Sequence, residues 1–178
     1  FFRYRTNRFS LCEPNTRIQT LSSNSVAGDL RMAGQIEMTT PAQWLQQGWA
    51  HHQKKQLALA EELYNKALEI DPQNANAYCY LGILHYDRKA YQESINAYQQ
   101  ALRIQPIFPV AWNNLGNSLR HVGQPEAAEI AFLQAIAQKP EYVNAHKNRG
   151  TLHVWEGKID LAKECYRNAV KFGPADPE

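Results

Sequence analysis

Small and apolar side chains recur at a fixed interval of 34 residues along the chain after residue 40. The recurrence runs through four successive units without an insertion, and five positions in each unit carry it. Down the four units these positions are Gly48, Gly82, Gly116 and Gly150; Ala60, Ser94, Ala128 and Ala162; Tyr64, Tyr98, Phe132 and Tyr166; Ala67, Ala101, Ala135 and Ala169; and Pro72, Pro106, Pro140 and Pro174. Self-similarity at this period is typical of stacked supersecondary units.

Each unit predicts two antiparallel helices joined by a short turn, so the predicted fold class is all-α. The small residues let the two helices approach closely, the ring fills the space between neighbouring pairs, and the proline ends the second helix. We predict first helices near 42–54, 76–88, 110–122 and 144–156, and second helices near 58–71, 92–105, 126–139 and 160–172. Thr40 and Pro41 are suited to the N-cap and first turn of the opening helix.

The third unit carries most completely the motif of a known family. Its residues are Trp112, Leu115, Gly116, Leu119, Ala128, Phe132, Ala135 and Pro140. The chain therefore resembles the tetratricopeptide repeat (TPR) family, with repeats at 41–74, 75–108, 109–142 and 143–176. The resemblance implies a right-handed α-solenoid over residues 41–178. Residues 1–40, which mix Arg with Ser, Asn and Thr, predict a mostly disordered or irregular extension. Gln47 and Arg149 depart from the family's leucine, and His146 from its leading aromatic, which makes the first helix of repeat four the weakest part of the prediction.

The same resemblance implies a concave groove lined by the first helix of each repeat. Predicted groove residues are the first-helix side chains that the family motif does not use: Trp49, Asn76, Tyr80, Asn113, Asn114, Asn117, Arg120, Asn144, Lys147 and Asn148. An asparagine amide offers both a donor and an acceptor, so a row of them can bind the main chain of an extended peptide. Asn114 and Asn148 look like the asparagine ladder of O-linked N-acetylglucosamine transferases. The alternative is that these asparagines are merely solvated residues, tolerated on a helix whose other face is buried.

Apolar side chains dominate the groove in the first two repeats. They are Leu45, Trp49, Tyr80, Ile83 and Tyr86. A concave apolar surface can accept an apolar anchor from a partner. The alternative is that these side chains only pack against neighbouring helices.

Composition and charge exclude several classes of function. Residues 41–178 hold fourteen basic and fourteen acidic residues, so no basic stripe predicts a nucleic acid or an anionic membrane as partner. No apolar run approaches the ~20 residues of a membrane span. The sequence contains no phosphate-binding loop, HExxH or GxSxG motif, and its three cysteines fit no CxxC spacing, so we predict no enzymatic activity, cofactor or metal. A reducing compartment is the simpler interpretation of those cysteines, and we expect a cytoplasmic location.

The predicted function is a scaffold that binds an extended peptide or a partner protein. Two alternatives stay open: the substrate-recruiting segment of a larger glycosyltransferase, and a self-associating structural module. Val170 and Phe172 leave the outer side of the last helix apolar, which predicts either a fragment of a longer array, the interpretation we favour, or a homo-oligomer formed through that end.

Overall fold

The structure, a computed structural model, describes residues 40–173. This part of the chain forms eight α-helices: α1 (Pro41–Gln53), α2 (Leu57–Ile70), α3 (Ala75–Asp87), α4 (Tyr91–Ile104), α5 (Pro109–His121), α6 (Pro125–Gln138), α7 (Val143–Trp155) and α8 (Ile159–Phe172). The all-α prediction is confirmed, and each predicted helix begins within one residue of its observed start. The predicted extension over 1–40 lies, apart from Thr40, outside the described residues.

Local sequence signals fix the ends of the helices. Thr40 is the N-cap of α1 and forms a capping box with Gln43, while Pro41 occupies the first turn. The turn inside each repeat requires one residue with positive φ, and that residue also recurs every 34 positions: Lys55 (φ 62°), Lys89 (φ 63°), Gly123 (φ 75°) and Gly157 (φ 75°). Glycine adopts this conformation without steric cost, whereas the two lysines adopt it with some strain.

The two helices of a repeat pack through the predicted glycine and aromatic columns. Tyr64, Tyr98 and Phe132 are completely buried. A Cβ added to Gly82 would lie 2.5 Å from the ring of Tyr98, so only glycine allows this approach. The aromatic ring of the second helix therefore occupies the space that a side chain at the glycine position of the first helix would fill.

Helix contacts show which side of the array is the inner one. Each helix packs against the next along the chain, and the first helices of adjacent repeats also touch: α1 with α3, α3 with α5, and α5 with α7. No such contact joins α2 with α4 or α4 with α6 in the described chain. Because first helices approach one another more closely than second helices do, the stack curves and the first helices line its inner side.

The fourth repeat forms the same pair of helices as the other three despite its unusual residues. In repeat three the Trp112 indole Nε1 donates to the carbonyl oxygen of Pro106 at 3.0 Å. One repeat later the His146 Nε2 lies 2.8 Å from the carbonyl oxygen of Pro140. The imidazole thus makes the hydrogen bond that the indole makes in repeat three. Arg149, in place of the usual leucine, pairs with Glu129 of α6 at 2.8 Å.

None of the helices in residues 40–173 is long and apolar enough to cross a membrane.

Candidate peptide-binding surface

A chain of asparagine amides crosses from repeat four to repeat three on the inner side. Asn148 of α7 donates through Nδ2 to Oδ1 of Asn113 in α5 at 2.9 Å. Asn113 donates through its own Nδ2 to Oδ1 of Asn114 at 3.1 Å. The first helices α5 and α7 are therefore joined by asparagine side chains that the sequence analysis predicted at the groove.

The amide chain continues into a buried polar network between the two helices of repeat two and α5. The Ser118 hydroxyl donates to the main-chain oxygen of Asn114 at 3.2 Å and lies 2.9 Å from the Ser94 hydroxyl. Ser94 donates to the carbonyl oxygen of Gly82 at 2.8 Å. Burial raises the pKa of Tyr98 well above its usual value, and the neighbouring Ser94 and Asn114 side chains oppose this rise.

Two side-chain donors of α5 have no hydrogen-bond partner in the described chain. They are Nδ2 of Asn114 and Nε of Arg120, and both atoms are buried. The Asn114 amide is near the Tyr98 hydroxyl, but these two groups form no hydrogen bond of normal geometry. A buried donor that lacks an acceptor costs about 1–3 kcal/mol.

The predicted groove residues differ widely in exposure. Lys147 is exposed; Trp49, Asn76, Arg120, Asn144 and Asn148 are half-buried; and Tyr80, Asn113, Asn114 and Asn117 are buried. Asn113 and Asn114 are 0% exposed, so the interpretation of these two as solvated surface residues is wrong. Whether any of the ten binds a ligand stays a prediction.

Three aromatic rings of the first two repeats, Trp49, Tyr64 and Tyr80, pack together. The ring centroids of Trp49 and Tyr80 lie 5.7 Å apart, and Tyr80 stacks on Tyr64 at 5.3 Å. Leu45, Tyr80 and Ile83 are buried. These contacts favour the packing interpretation for the three buried side chains, whereas Trp49 and Tyr86 are half-buried and thus more accessible.

A polar cluster that the sequence analysis did not assemble joins the first helices of repeats one and two. The buried His52 places Nδ1 3.3 Å from the Tyr64 hydroxyl and Nε2 3.3 Å from Oδ2 of Asp87. Lys55 donates to the same Asp87 oxygen at 3.0 Å. The hydrogen bonds from His52 and then Lys55 hold the pKa of Asp87 below its usual value, against the opposing effect of burial.

The sequence signal that would have identified this cluster is a pair of polar residues 35 positions apart. His52 and Asp87 are 35 residues apart, and so are Asn113 and Asn148. On the inner side, a residue thus meets the residue one repeat plus one position further along. Among the described residues, no group of three or more His, Cys, Asp or Glu side chains could hold a metal ion.

Comparison with known proteins supports the repeat assignment. Family models described as TPR repeat match residues 48–88 and 84–123, and one described as tetratricopeptide repeat matches residues 113–177. The chain belongs to the tetratricopeptide repeat family. Solved TPR-like structures agree: the crystal structure of MamA superposes with a TM-score of 0.68 over 75% of this TPR chain and 78% of that one, at 23% identity. The Cut9-Hcn1 structure from the APC/C gives 0.69 over 77% and 28%, at 22% identity. These likenesses concern the fold.

Curated relatives of this TPR chain are much longer proteins. The peroxisomal targeting signal receptor of Candida albicans is 30% identical over 114 residues, which are 62% of this chain and 18% of the receptor. A probable UDP-N-acetylglucosamine–peptide N-acetylglucosaminyltransferase, SPINDLY, of Hordeum vulgare is 32% identical over 122 residues, 65% of this chain and 13% of that protein. The TPR chain thus spans less than a fifth of either relative. Its repeat fold is consistent with a protein–protein interaction scaffold.

Proposed function

We propose that this TPR chain is a scaffold that binds an extended peptide, or an extended segment of a partner protein, along the inner side lined by α1, α3, α5 and α7. The observation that carries this proposal is the amide chain from Asn114 through Asn113 to Asn148, whose half-buried end is Asn148 on the inner side. The side chain of Asn148 would hydrogen-bond the main chain of a bound peptide. Recognition of this kind depends on the peptide backbone and tolerates many side chains.

Charges around the amide chain fit a peptide with no strong charge of its own. Arg120 and Lys147 are the basic members of the predicted groove. On the opposite half of the array, Asp87 is already engaged by His52 and Lys55. The surface thus offers hydrogen bonding more than charge pairing, and the proposed binding involves no catalysis.

A peptide array tests the proposal. The full chain is applied to an array of unrelated extended peptides, and the strongest binder is titrated by fluorescence anisotropy against wild type and variants. Asn148→Ala removes a half-buried amide on the inner side. Gln134→Ala is the matched control, because it removes an exposed amide from α6, a second helix.

We expect Asn148→Ala to weaken binding about fivefold, because one net hydrogen bond is worth about 1 kcal/mol. Gln134→Ala should leave the dissociation constant unchanged. Equal effects of the two substitutions, or no effect of Asn148→Ala, would place the peptide elsewhere and refute the groove.

A second candidate function is recruitment of substrate for a glycosyltransferase. Its support is the 32% identity to the SPINDLY relative, together with the amides at Asn114 and Asn148. The test incubates the full-length gene product with labelled UDP-N-acetylglucosamine and the array peptide. Label transferred to that peptide would support recruitment, whereas binding without transfer would leave the scaffold as the function.

Self-association is the third interpretation, and its site would be the exposed side of α8. Val170 there is 79% exposed. Sedimentation velocity over a range of protein concentrations tests it: a monomer at every concentration would contradict it.

A further inference from the structure

One carboxylate oxygen of Asp87 is not used by any described residue. The contacts from His52 and Lys55, at 3.3 and 3.0 Å, both go to Oδ2, and Oδ1 has no hydrogen-bond partner within residues 40–173. Oδ1 is not among the buried polar atoms that lack a partner, so solvent reaches it. The hydrogen bond from His52 holds the pKa of Asp87 below its usual value, and the carboxylate is therefore ionised at neutral pH.

Lys55 is the cation that pairs with this carboxylate in the structure. A neutral His52 imidazole satisfies both of its contacts, because it accepts from the Tyr64 hydroxyl at Nδ1 and donates from Nε2 to Asp87. The negative charge of Asp87 is then balanced by Lys55. The Lys55 side chain is 74% exposed, and an ion pair made by so exposed a lysine is weak. A cation of a ligand can therefore take its place.

The indole of Trp49 borders the same site. Its ring centroid lies 5.3 Å from that of His52, edge to face, and 5.7 Å from that of Tyr80. Trp49 is half-buried, whereas His52 is 3% exposed, so part of the indole faces solvent beside a covered imidazole. An aromatic surface near a carboxylate suits a guanidinium, which stacks on rings and donates to carboxylate oxygens in a fixed fork.

This combination belongs to one junction of the array. Between the other described repeats, no junction has an indole and a carboxylate at the positions of Trp49 and Asp87. The pairs at those positions are Ile83 with His121 and Asn117 with Trp155. Arg120 and Lys147, the basic members of the predicted groove, lie in repeats three and four. A cationic side chain is therefore attracted to the junction of repeats one and two and repelled by the other half.

We propose that Asp87 and Trp49 form a subsite for an arginine side chain of the bound peptide. This inference rests on the proposed function, because the arginine belongs to a peptide that lies along the inner side. The guanidinium displaces the Lys55 ammonium, pairs with the carboxylate of Asp87 and stacks on the indole of Trp49. The contact fixes the position of the peptide along the groove, with its arginine at repeats one and two and its main chain on Asn148.

A substitution scan of the array peptide tests the subsite. Each residue of the strongest array binder is replaced in turn by arginine and by citrulline, which has nearly the same shape without the charge. Binding of every peptide to the full chain is measured by fluorescence anisotropy at about 0.15 M salt, where distant charges are largely screened. The ratio of the two dissociation constants at the best peptide position is then measured in variants of the chain.

We expect arginine to bind wild type about fivefold more tightly than citrulline at one peptide position, because an ion pair and a cation–π contact replace neutral contacts. Asp87→Asn should abolish this preference, and Trp49→Leu should reduce it. Lys55→Gln should instead raise it about threefold, since the competing ammonium is gone. Lys55→Gln leaves Asp87 and its bond to His52 in place, so its effect does not depend on a destabilised variant.

Lys89→Gln is the matched control for Lys55→Gln. Lys89 stands at the same turn position one repeat later, also with positive φ, and is exposed. Its ammonium makes no ion pair within the described chain. The substitution therefore removes an equal charge near Asp87 without vacating the carboxylate, and it should change the arginine preference by less than about twofold.

Three results would overturn the subsite: equal binding of arginine and citrulline at every position, a preference that survives Asp87→Asn, or equal effects of Lys55→Gln and Lys89→Gln. Asn148→Ala separates the subsite from the groove, because it should weaken both peptides and leave their ratio unchanged. Loss of the arginine preference while binding still depends on Asn148 removes the subsite alone. If no peptide binds the chain, the subsite and the proposed function are both wrong.

Discussion

Substitution of Gly116 by alanine tests the close helix approach on which the whole array depends. An added Cβ would lie 2.6, 2.8 and 2.9 Å from three atoms of the Phe132 ring, which is completely buried and has no room to move. Overpacking of this kind costs about 1–3 kcal/mol. Alanine recovers up to about 1 kcal/mol of helix propensity relative to glycine. We expect a net loss of about 1–2 kcal/mol in the free energy of unfolding.

Gly150→Ala provides the matched control at the same repeat position. There the added Cβ would lie 2.8 Å from the nearest atom of Tyr166, whose ring is 38% exposed. Because this ring can shift toward solvent, the overpacking should fall below the gain in helix propensity. We expect Gly150→Ala to be neutral or to stabilise the chain by up to about 1 kcal/mol.

Urea denaturation of the full chain, followed by circular dichroism at 222 nm, measures both variants. With a slope of about 2 kcal/mol/M, the loss in Gly116→Ala lowers the midpoint by about 0.5–1 M. A loss of equal size in both variants would show that the buried ring does not set the cost. No loss of stability in either variant would mean that the two helices of a repeat lie further apart than in the structure.

Three further predictions concern polar contacts and a turn. Asp87→Asn should lower the free energy of unfolding by about 1 kcal/mol at pH 7. Because the hydrogen bond from His52 holds the pKa of Asp87 below its unfolded value, the difference in stability between variant and wild type should disappear as the pH falls through the native pKa of Asp87. A difference that stays constant down to about pH 2 would contradict this. Asn113→Ala should cost about 1–3 kcal/mol in thermal melts, since it leaves the buried Oδ1 of Asn114 without its donor and Nδ2 of Asn148 without its acceptor; a cost below about 0.5 kcal/mol would show that water replaces the amide. Lys89→Gly should raise the urea midpoint by relieving about 1 kcal/mol of strain at φ 63°, and a lowered midpoint would show that no such strain exists.

The sequence by itself determined the repeat length, the eight helices and the residues that join them. This was possible because close packing within a repeat is local: Gly82 meets Tyr98, and Ser94 bonds the carbonyl oxygen of Gly82, across a single turn. Such contacts leave the same residue types in every unit. The 34-residue period therefore reveals these packing contacts directly.

Only the tertiary structure decided which inner-side residues bond one another and how deeply each is buried. Asn113 was predicted at the groove, but its burial and its bond to Asn148 depend on how far α7 is rotated against α5. His52 and Asp87 meet through the same relation between α1 and α3. At these places the columns of the repeat hold no residue type common to all four units, because each junction satisfies its polar groups differently. Stacking geometry, which arises from the packing of whole helices, brings such residues together.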